Sequence, residues 1–318
     1  IICTQYLGQK NHEMANKSAR QALFIITAIS VFIVVLGLAF RAPLLSFIFG
    51  KVDADVMENS MVYFFYTVLS YPFIALYDAG ASIFRAQENT RGPMVISIIS
   101  NVMNIVGNGI LIWVFHMGVA GAAISTLVSR IFCAVVVLYQ LRKNRQPIVV
   151  RDYLKIRPDG KMIGRILALG IPSGIENSMF QLGKLAIQST VSTLGTTAIA
   201  AQAMTNMLEM LNGTAVIGVG IGLMTVVGQS LGAGRKDEAV YYMKKLMAFS
   251  EVFLIICCAV VYALARPITM IGGMEAKSAE MCLDMMFWIT IVKPMVWMFA
   301  FIPAYGMRAA GDVKFSMI

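Results

Sequence analysis

Charge is what this sequence has least of. Only 14% of its 318 residues are Asp, Glu, Lys or Arg, against roughly 25% in soluble domains. So few charges cannot cover a water-facing surface, which argues against an ordinary soluble fold. Histidine is nearly absent, with only His12 and His116, so neither a His-rich metal centre nor a Ser-His-Asp arrangement is indicated. The five cysteines, Cys3, Cys133, Cys257, Cys258 and Cys282, show no paired metal spacing. They lie in or beside apolar blocks, where small buried hydrophobes are expected. No H-E-x-x-H, G-x-x-x-x-G-K-[ST] or G-x-S-x-G sequence occurs, and nothing points to covalent chemistry. The glycine-rich run Gly218-Val-Gly-Ile-Gly222 has no strand ahead of it, so it reads as a close helix contact. Asn212-Gly-Thr is a glycosylation sequon by pattern alone.

What the chain does have is apolar length: 58% apolar residues and a mean hydropathy of +0.74. The apolar residues form blocks long enough to cross a bilayer, about 20 residues as helix. Lipid supplies no hydrogen bonds, so each block is expected to be helical. The expected spans are Ala22–Ile48, Val62–Phe84, Met94–Phe115, Val119–Leu141, Ile163–Leu194, Ala201–Ser230, Leu246–Ile271 and Met285–Met307. A short stump at Ile1–Leu7 precedes them, and the chain reads as an internal piece of a longer protein. Lys and Arg are uneven across alternate connections. One set holds 19 of the 26, the other 4, and Arg130, Lys184 and Lys293 lie inside spans. The positive-inside rule assigns the rich set to the cytoplasm of a plasma or bacterial inner membrane. It also explains the net charge of +9 without a nucleic-acid partner.

The sequence repeats itself. Gln5, Leu7, Gly8 and Ala15 recur as Gln229, Leu231, Gly232 and Ala239, at an offset of 224. Arg85, Ala86 and Met94 recur as Arg308, Ala309 and Met317, at an offset of 223. The copies lie six spans apart, so the repeat is parallel, one of the two architectures used by secondary transporters. The expected fold is an all-α membrane protein of two pseudo-symmetric six-helix bundles, about twelve helices when intact and about nine here. The divisions are an amino-terminal lobe at 1–141, a cytoplasmic linker at 142–162 and a carboxy-terminal lobe at 163–318. Gly8 and Gly232 are expected to end their helices in a left-handed cap.

Two spans carry polar stripes. Ser173, Asn177, Gln181, Lys184 and Gln188 share one helix face with Glu176 on its flank, and Ser97, Asn101, Asn104 and Asn108 share another. Such residues are expensive in lipid and should face a bundle interior or a cavity. They serve either as interhelical hydrogen bonds or as binding groups. Lys293 and Asp78 are further ionisable candidates inside spans, whereas Arg130 is long enough to snorkel.

These features resemble the multidrug and toxic compound extrusion (MATE) transporters. The residues carrying the resemblance are Gln5-Tyr-Leu-Gly8, Phe84-Arg-Ala-Gln-Glu-Asn-Thr-Arg91-Gly-Pro93, Asn104-Ile-Val-Gly-Asn108, Gly118-Val-Ala-Gly-Ala-Ala-Ile-Ser-Thr126, Gly170-Ile-Pro-Ser173, Gln229-Ser-Leu-Gly232 and Arg308-Ala-Ala-Gly-Asp312. The resemblance implies two lobes, alternating access, and export of amphipathic, often cationic compounds coupled to Na⁺ or H⁺, with no other cofactor. It also implies a cation site in the first lobe, with Asn104, Asn108 and Thr126 as candidate Na⁺ ligands. Asn108 stands where that pattern has an Asp, so the site has at least one charge fewer. In the second lobe it implies a coupling carboxylate, for which Glu176 is the candidate. Asn177, Gln181, Lys184, Gln188 and Lys293 are candidates for lining the same path, and Lys184 is expected to hold the charge state of Glu176.

The expected activity is therefore antiport of a small amphipathic molecule, by a monomer in a lipid bilayer, with no enzyme chemistry. A lipid-linked oligosaccharide flippase of the same broad fold is the alternative within transport. A membrane-embedded enzyme and a non-transporting scaffold stand behind it.

Overall fold

The computed structural model describes residues 1–49, 54–143, 147–150, 153 and 156–313. In chain order its helices are α1 (Ile2–Gly8), α2 (His12–Ala39), α3 (Arg41–Phe49), α4 (Ala54–Leu69), α5 (Tyr71–Ala86), α6 (Arg91–Gly109), α7 (Gly118–Leu141), α8 (Gly160–Ser192), α9 (Thr196–Gly232), α10 (Lys236–Ile271) and α11 (Ala276–Ala310). A π-helical turn, Ile110–Val114, continues α6. No strand occurs among the described residues.

Among the described residues seven segments are long and apolar enough to cross a membrane: α2, α4 with α5, α6 with its π turn, α7, α9, α10 and α11. Lipid is the natural solvent for such helices, and much of their apolar surface is exposed, including Ile105, Trp113 and Phe299. The expected span at Ile163–Leu194 forms α8, long enough at 33 residues but absent from the seven. Its polar stripe lowers its hydropathy below that of the others.

The chain forms two compact units. The first is residues 10–164, and the second is residues 3–9 with the chain from Arg165 onward. The sequence divisions instead group residues 3–9 with the first lobe. In the first unit, α7 packs on α4, α5 and α6, and α2 packs on α5. In the second, α9, α10 and α11 pack mutually around Leu223, Leu254 and Ile302.

The linker is fastened down. Ile148 and Val150 are buried. The Ile148 amide donates to Gln87 Oε1 (2.9 Å) and the Val149 amide to Asn16 Oδ1 (2.7 Å). Tyr153 donates to the Leu138 carbonyl at 2.7 Å, and burial pushes its phenol up to about 12. Gln21 binds the strap twice, donating to Arg157 O and accepting from the Asp159 amide. Asp159 also meets Lys17 at 2.5 Å and accepts from the Lys161 and Met162 amides, capping α8. The described part of the expected linker thus belongs to the first unit; residues 144–146, 151–152 and 154–155 lie outside the described residues.

Gly8 and Gly232 do not form left-handed caps. The left-handed residues come two positions later, at Lys10 (φ 57°) and Gly234 (φ 75°), which keep the repeat offset of 224. The glycines instead let α1 cross α9 at backbone contact. A methyl on Gly8 would lie 2.2 Å from the Gln229 carbonyl, and one on Gly232 would lie 2.2 Å from the Gln5 carbonyl. Thr4 and Gly228, also 224 apart, meet at the same crossing. The two copies of the motif therefore hold each other, with a local two-fold axis between them.

Two outcomes follow from these contacts. Gly8→Ala and Gly232→Ala should each cost about 1–3 kcal/mol through overpacking, seen as a lower melting temperature in detergent. The double variant should lose less than the sum, because both act on one contact. For Asp159, the hydrogen bond from Lys17 first, and then that from the Met162 amide, holds its carboxyl below the usual carboxylate range. Its contribution is whole above that range and fades as pH falls through the lowered value. Protection of the amides at residues 156–162, taken relative to the unprotected exchange rate at each pH, should therefore be high at neutral pH and fall in acid. In Asp159→Ala it should be low at both.

Candidate functional site

The first unit brings Asn104, Asn108 and Thr126 together. Residues 104 and 108 share a face of α6 at i, i+4 spacing. Gly107 allows the crossing with α7, because a methyl there would lie 2.5 Å from Ser125 Oγ. Asn108 donates to Asn104 Oδ1 (3.3 Å), and Asn104 donates to Thr126 Oγ1 (3.3 Å) and Ser125 Oγ (3.5 Å). Thr126 passes its own proton to the Ala122 carbonyl. Asn108 Oδ1 is buried and has no partner. Directly after it comes the π-helical turn, in which the Phe115 amide reaches back five residues to Ile110 O; such turns often sit at functional positions.

Beside this chain of amides lies a cavity of about 280 Å³, whose lining includes Tyr77, Ser97, Asn101, Asn104, Thr126 and Arg130. Arg130 does not snorkel. It turns inward and donates to Ser70 Oγ at 2.5 Å. Ser70 is available because the expected span Val62–Phe84 breaks there: Pro72 follows, lacks an N–H, and separates α4 from α5. Ser70 spends its own proton on the Thr67 carbonyl, so its oxygen is free to accept from Arg130.

In the second unit, Glu176 is held by Arg308 of α11, with Nη2 to Oε1 at 2.5 Å. The expectation that Lys184 would hold it does not match this geometry: Lys184 is exposed and lies over the Phe180 ring, 4.8 Å from its centroid. The other carboxylate oxygen of Glu176, Oε2, is buried without a partner, as is Arg308 Nε. Phe180 meets Phe301 edge to face just beyond the pair. Asn177 and Gln181 share an open groove on α8. Asn177, Gln181 and Lys184 are exposed and Gln188 is half-buried, so the stripe lines no enclosed site among the described residues.

Lys293 meets Glu209 of α9 at 3.3 Å, and its side chain is 6% exposed. It also covers Trp297, 4.7 Å from the ring centroid. Asn212 lies one turn further along α9, fully buried, with both amide atoms unpartnered. That burial removes its sequon from consideration as a glycan acceptor. Of the glycine run, Gly220 makes the close helix contact, against the ring of Tyr305. Cys133, Cys258 and Cys282 are buried, but Cys3 and Cys257 are only partly so.

Two residues of these sites are new to the structure. Glu209 is the single acid of its span; a lysine in the middle of a neighbouring apolar block was the signal for it, since a buried charge needs a partner. Arg308 reads by position as one of the basic residues anchoring a cytoplasmic helix end. Its conspicuous place in the repeat was the only sign of another role. Among the described residues no group of three or more His, Cys, Asp or Glu is placed to hold a metal.

The MatE family model matches residues 1–110 and 172–318, more than half of the chain, and the chain belongs to that family of multidrug and toxic compound extrusion proteins. It is 28% identical over 246 residues to the probable multidrug resistance protein YoeA of Bacillus subtilis, covering 75% of this chain and 52% of that protein. It is 24% identical to the probable multidrug resistance protein NorM of Thermotoga maritima, covering 88% and 60%. An outward-facing multidrug resistance MATE transporter of the MOP superfamily shares the fold, with a TM-score of 0.91, 18% identity, and coverage of 99% of this chain and 70% of that one. The chain thus spans about half to two thirds of the length of these curated relatives. It is a multi-pass membrane protein of the MATE fold.

The Glu176–Arg308 pair makes a direct prediction. Arg308→Met leaves a carboxylate buried alone and should cost about 3–5 kcal/mol. Adding Glu176→Gln should recover most of that loss, read as the melting temperature of the purified protein. Equal melting of Arg308→Met and wild type would mean the pair carries no stability.

Proposed function

We propose that this protein is a cation-coupled antiporter that exports amphipathic small molecules by alternating access. The observation that carries the reading is Glu176 on α8, a carboxylate within a membrane-length helix with one oxygen on Arg308 and the other buried and unpartnered. An ionisable group in that position is a functional site by default. A proton or cation arriving at Oε2 would weaken the hold of Arg308, which ties α8 to α11. That gives two arrangements of one unit that an ion can choose between.

Coupling through Na⁺ at Asn104, Asn108 and Thr126 is the second reading. Asn108 Oδ1 offers an unused oxygen, and amide and hydroxyl oxygens suit a hard cation. These residues supply oxygen but no charge, and Arg130 lines the adjoining cavity. The charge balance therefore favours Glu176. The relatives described as multidrug proteins support export of small molecules and do not favour the flippase. We further propose a bacterial-type inner membrane with the basic connections cytoplasmic, and a monomer.

The test is efflux of a fluorescent amphipathic dye from everted vesicles carrying the protein, with a Na⁺ pulse and a pH jump applied separately. One gradient should drive efflux, and Glu176→Gln should reduce the driven rate at least tenfold at equal protein level. No efflux with either gradient would remove the exporter reading. Unchanged Na⁺-driven coupling in Glu176→Gln would move the coupling site to Asn104 and Asn108, whereas unchanged pH-driven coupling would rule out both sites, since an amide carries no proton.

A further inference from the structure

The cavity of the first unit has a sign. Its lining carries one formal charge, the guanidinium of Arg130, and no carboxylate. Among the described residues Arg130 is in no ion pair. Asp78 of α5 is exposed and feels its charge, but lies beyond ion-pair distance. A guanidinium has five N–H donors and no acceptor. One is committed to Ser70 Oγ. The group is only half-buried, so the remaining donors are open to a visitor.

The neighbouring groups suit the same visitor. Ser97, Asn101, Asn104 and Thr126 add neutral polar atoms to the wall, and Ile74 adds an apolar side. A planar, delocalised cation recognises a planar oxyanion best, through two parallel charge-assisted hydrogen bonds. A cation entering here would meet a like charge with no carboxylate in the lining to pair with, Asp78 acting only from outside it. Volume narrows the ligand further. Drug-sized ligands occupy pockets of roughly 300–1,000 Å³. At about 280 Å³, this cavity takes the head of such a molecule and leaves its apolar body outside.

We propose that the cavity binds the carboxylate of an amphipathic organic acid or zwitterion, with Arg130 as the recognition residue, so that the exported substrates include carboxylate-bearing amphiphiles. This rests on the exporter reading above and sets its substrate class. Ser70 acts as a positioning residue that turns the guanidinium inward. Asp78 competes with the substrate for Arg130 from outside the cavity.

The test compares two rhodamine dyes, one with a free carboxylate and its ethyl ester, on the purified protein in nanodiscs by fluorescence polarisation. Wild type should bind the acid at least tenfold more tightly than the ester. Arg130→Met should abolish that preference by weakening the acid alone, Arg130→Lys should keep part of it, and Asp78→Asn should strengthen acid binding. A wild type that binds the ester as well as the acid, or better, overturns the proposal without any variant. So does Arg130→Met with the preference intact. If Arg130→Met fails to fold, the dye pair on wild type and on Arg130→Lys still decides. Because binding is measured without a gradient, acid-selective binding with no vesicle efflux would refute the exporter reading and leave the carboxylate site standing.

Discussion

A charge placed among apolar helices must be answered, and this constraint organises the interior of both units. Lipid will not solvate it, and the cost of leaving it bare exceeds what any single apolar contact returns. Glu176 is answered by Arg308 and Glu209 by Lys293, each across a pair of helices that the sequence separates by 132 or 84 positions. Those pairings link α8 to α11 and α9 to α11. Among the described residues Arg130 is answered only by a hydroxyl. The difference between a charge with a counter-ion and a charge with a neutral partner separates the parts of this molecule that hold its shape from the part left open to a visitor.

The backbone irregularities support the same arrangement. Pro72 interrupts a membrane-length helix, and the break delivers Ser70 to Arg130. Gly107 brings α6 and α7 close enough for Asn104 to reach Ser125 and Thr126. The π turn after Asn108 shifts the helical register where the amide chain ends. None of these departures creates a binding group. Each moves an existing side chain by a few ångströms, the scale on which hydrogen bonds are made or lost.

Much of the fold was legible in the sequence, because a bilayer leaves few choices: an apolar block of the right length must be helical. The positions of the helices and the proximity of Asn104, Asn108 and Thr126 followed from period and resemblance. What was not legible was pairing across helices. Periodicity puts Lys184 two turns along α8 from Glu176, on the neighbouring stripe, but says nothing of Arg308, which reaches Glu176 from a helix end over a hundred residues away. Glu209 stood alone among apolar neighbours and formed no stripe. Gly8 and Gly232 were legible as special but not for the right reason. A glycine near a helix end fits a cap or a crossing equally well, and only the partner backbone decides.

The crossing of α1 and α9 also bears on how such a chain could arise. Two of its contacts are reciprocal: the glycine of each motif faces the carbonyl of the other's glutamine, whereas the threonine–glycine contact beside them is not. An isologous contact of this kind uses one set of residues twice. Two identical half-length polypeptides could make those two contacts, but not the third, because Thr4 and Gly228 are equivalent positions and a side chain on Gly228 would collide with the Thr4 hydroxyl. The fused chain inherits a tolerance as well as a constraint. Residues far from the crossing are free to diverge between the copies, as Arg85 and Arg308 have in their partners, while the four positions at the axis answer to both copies at once.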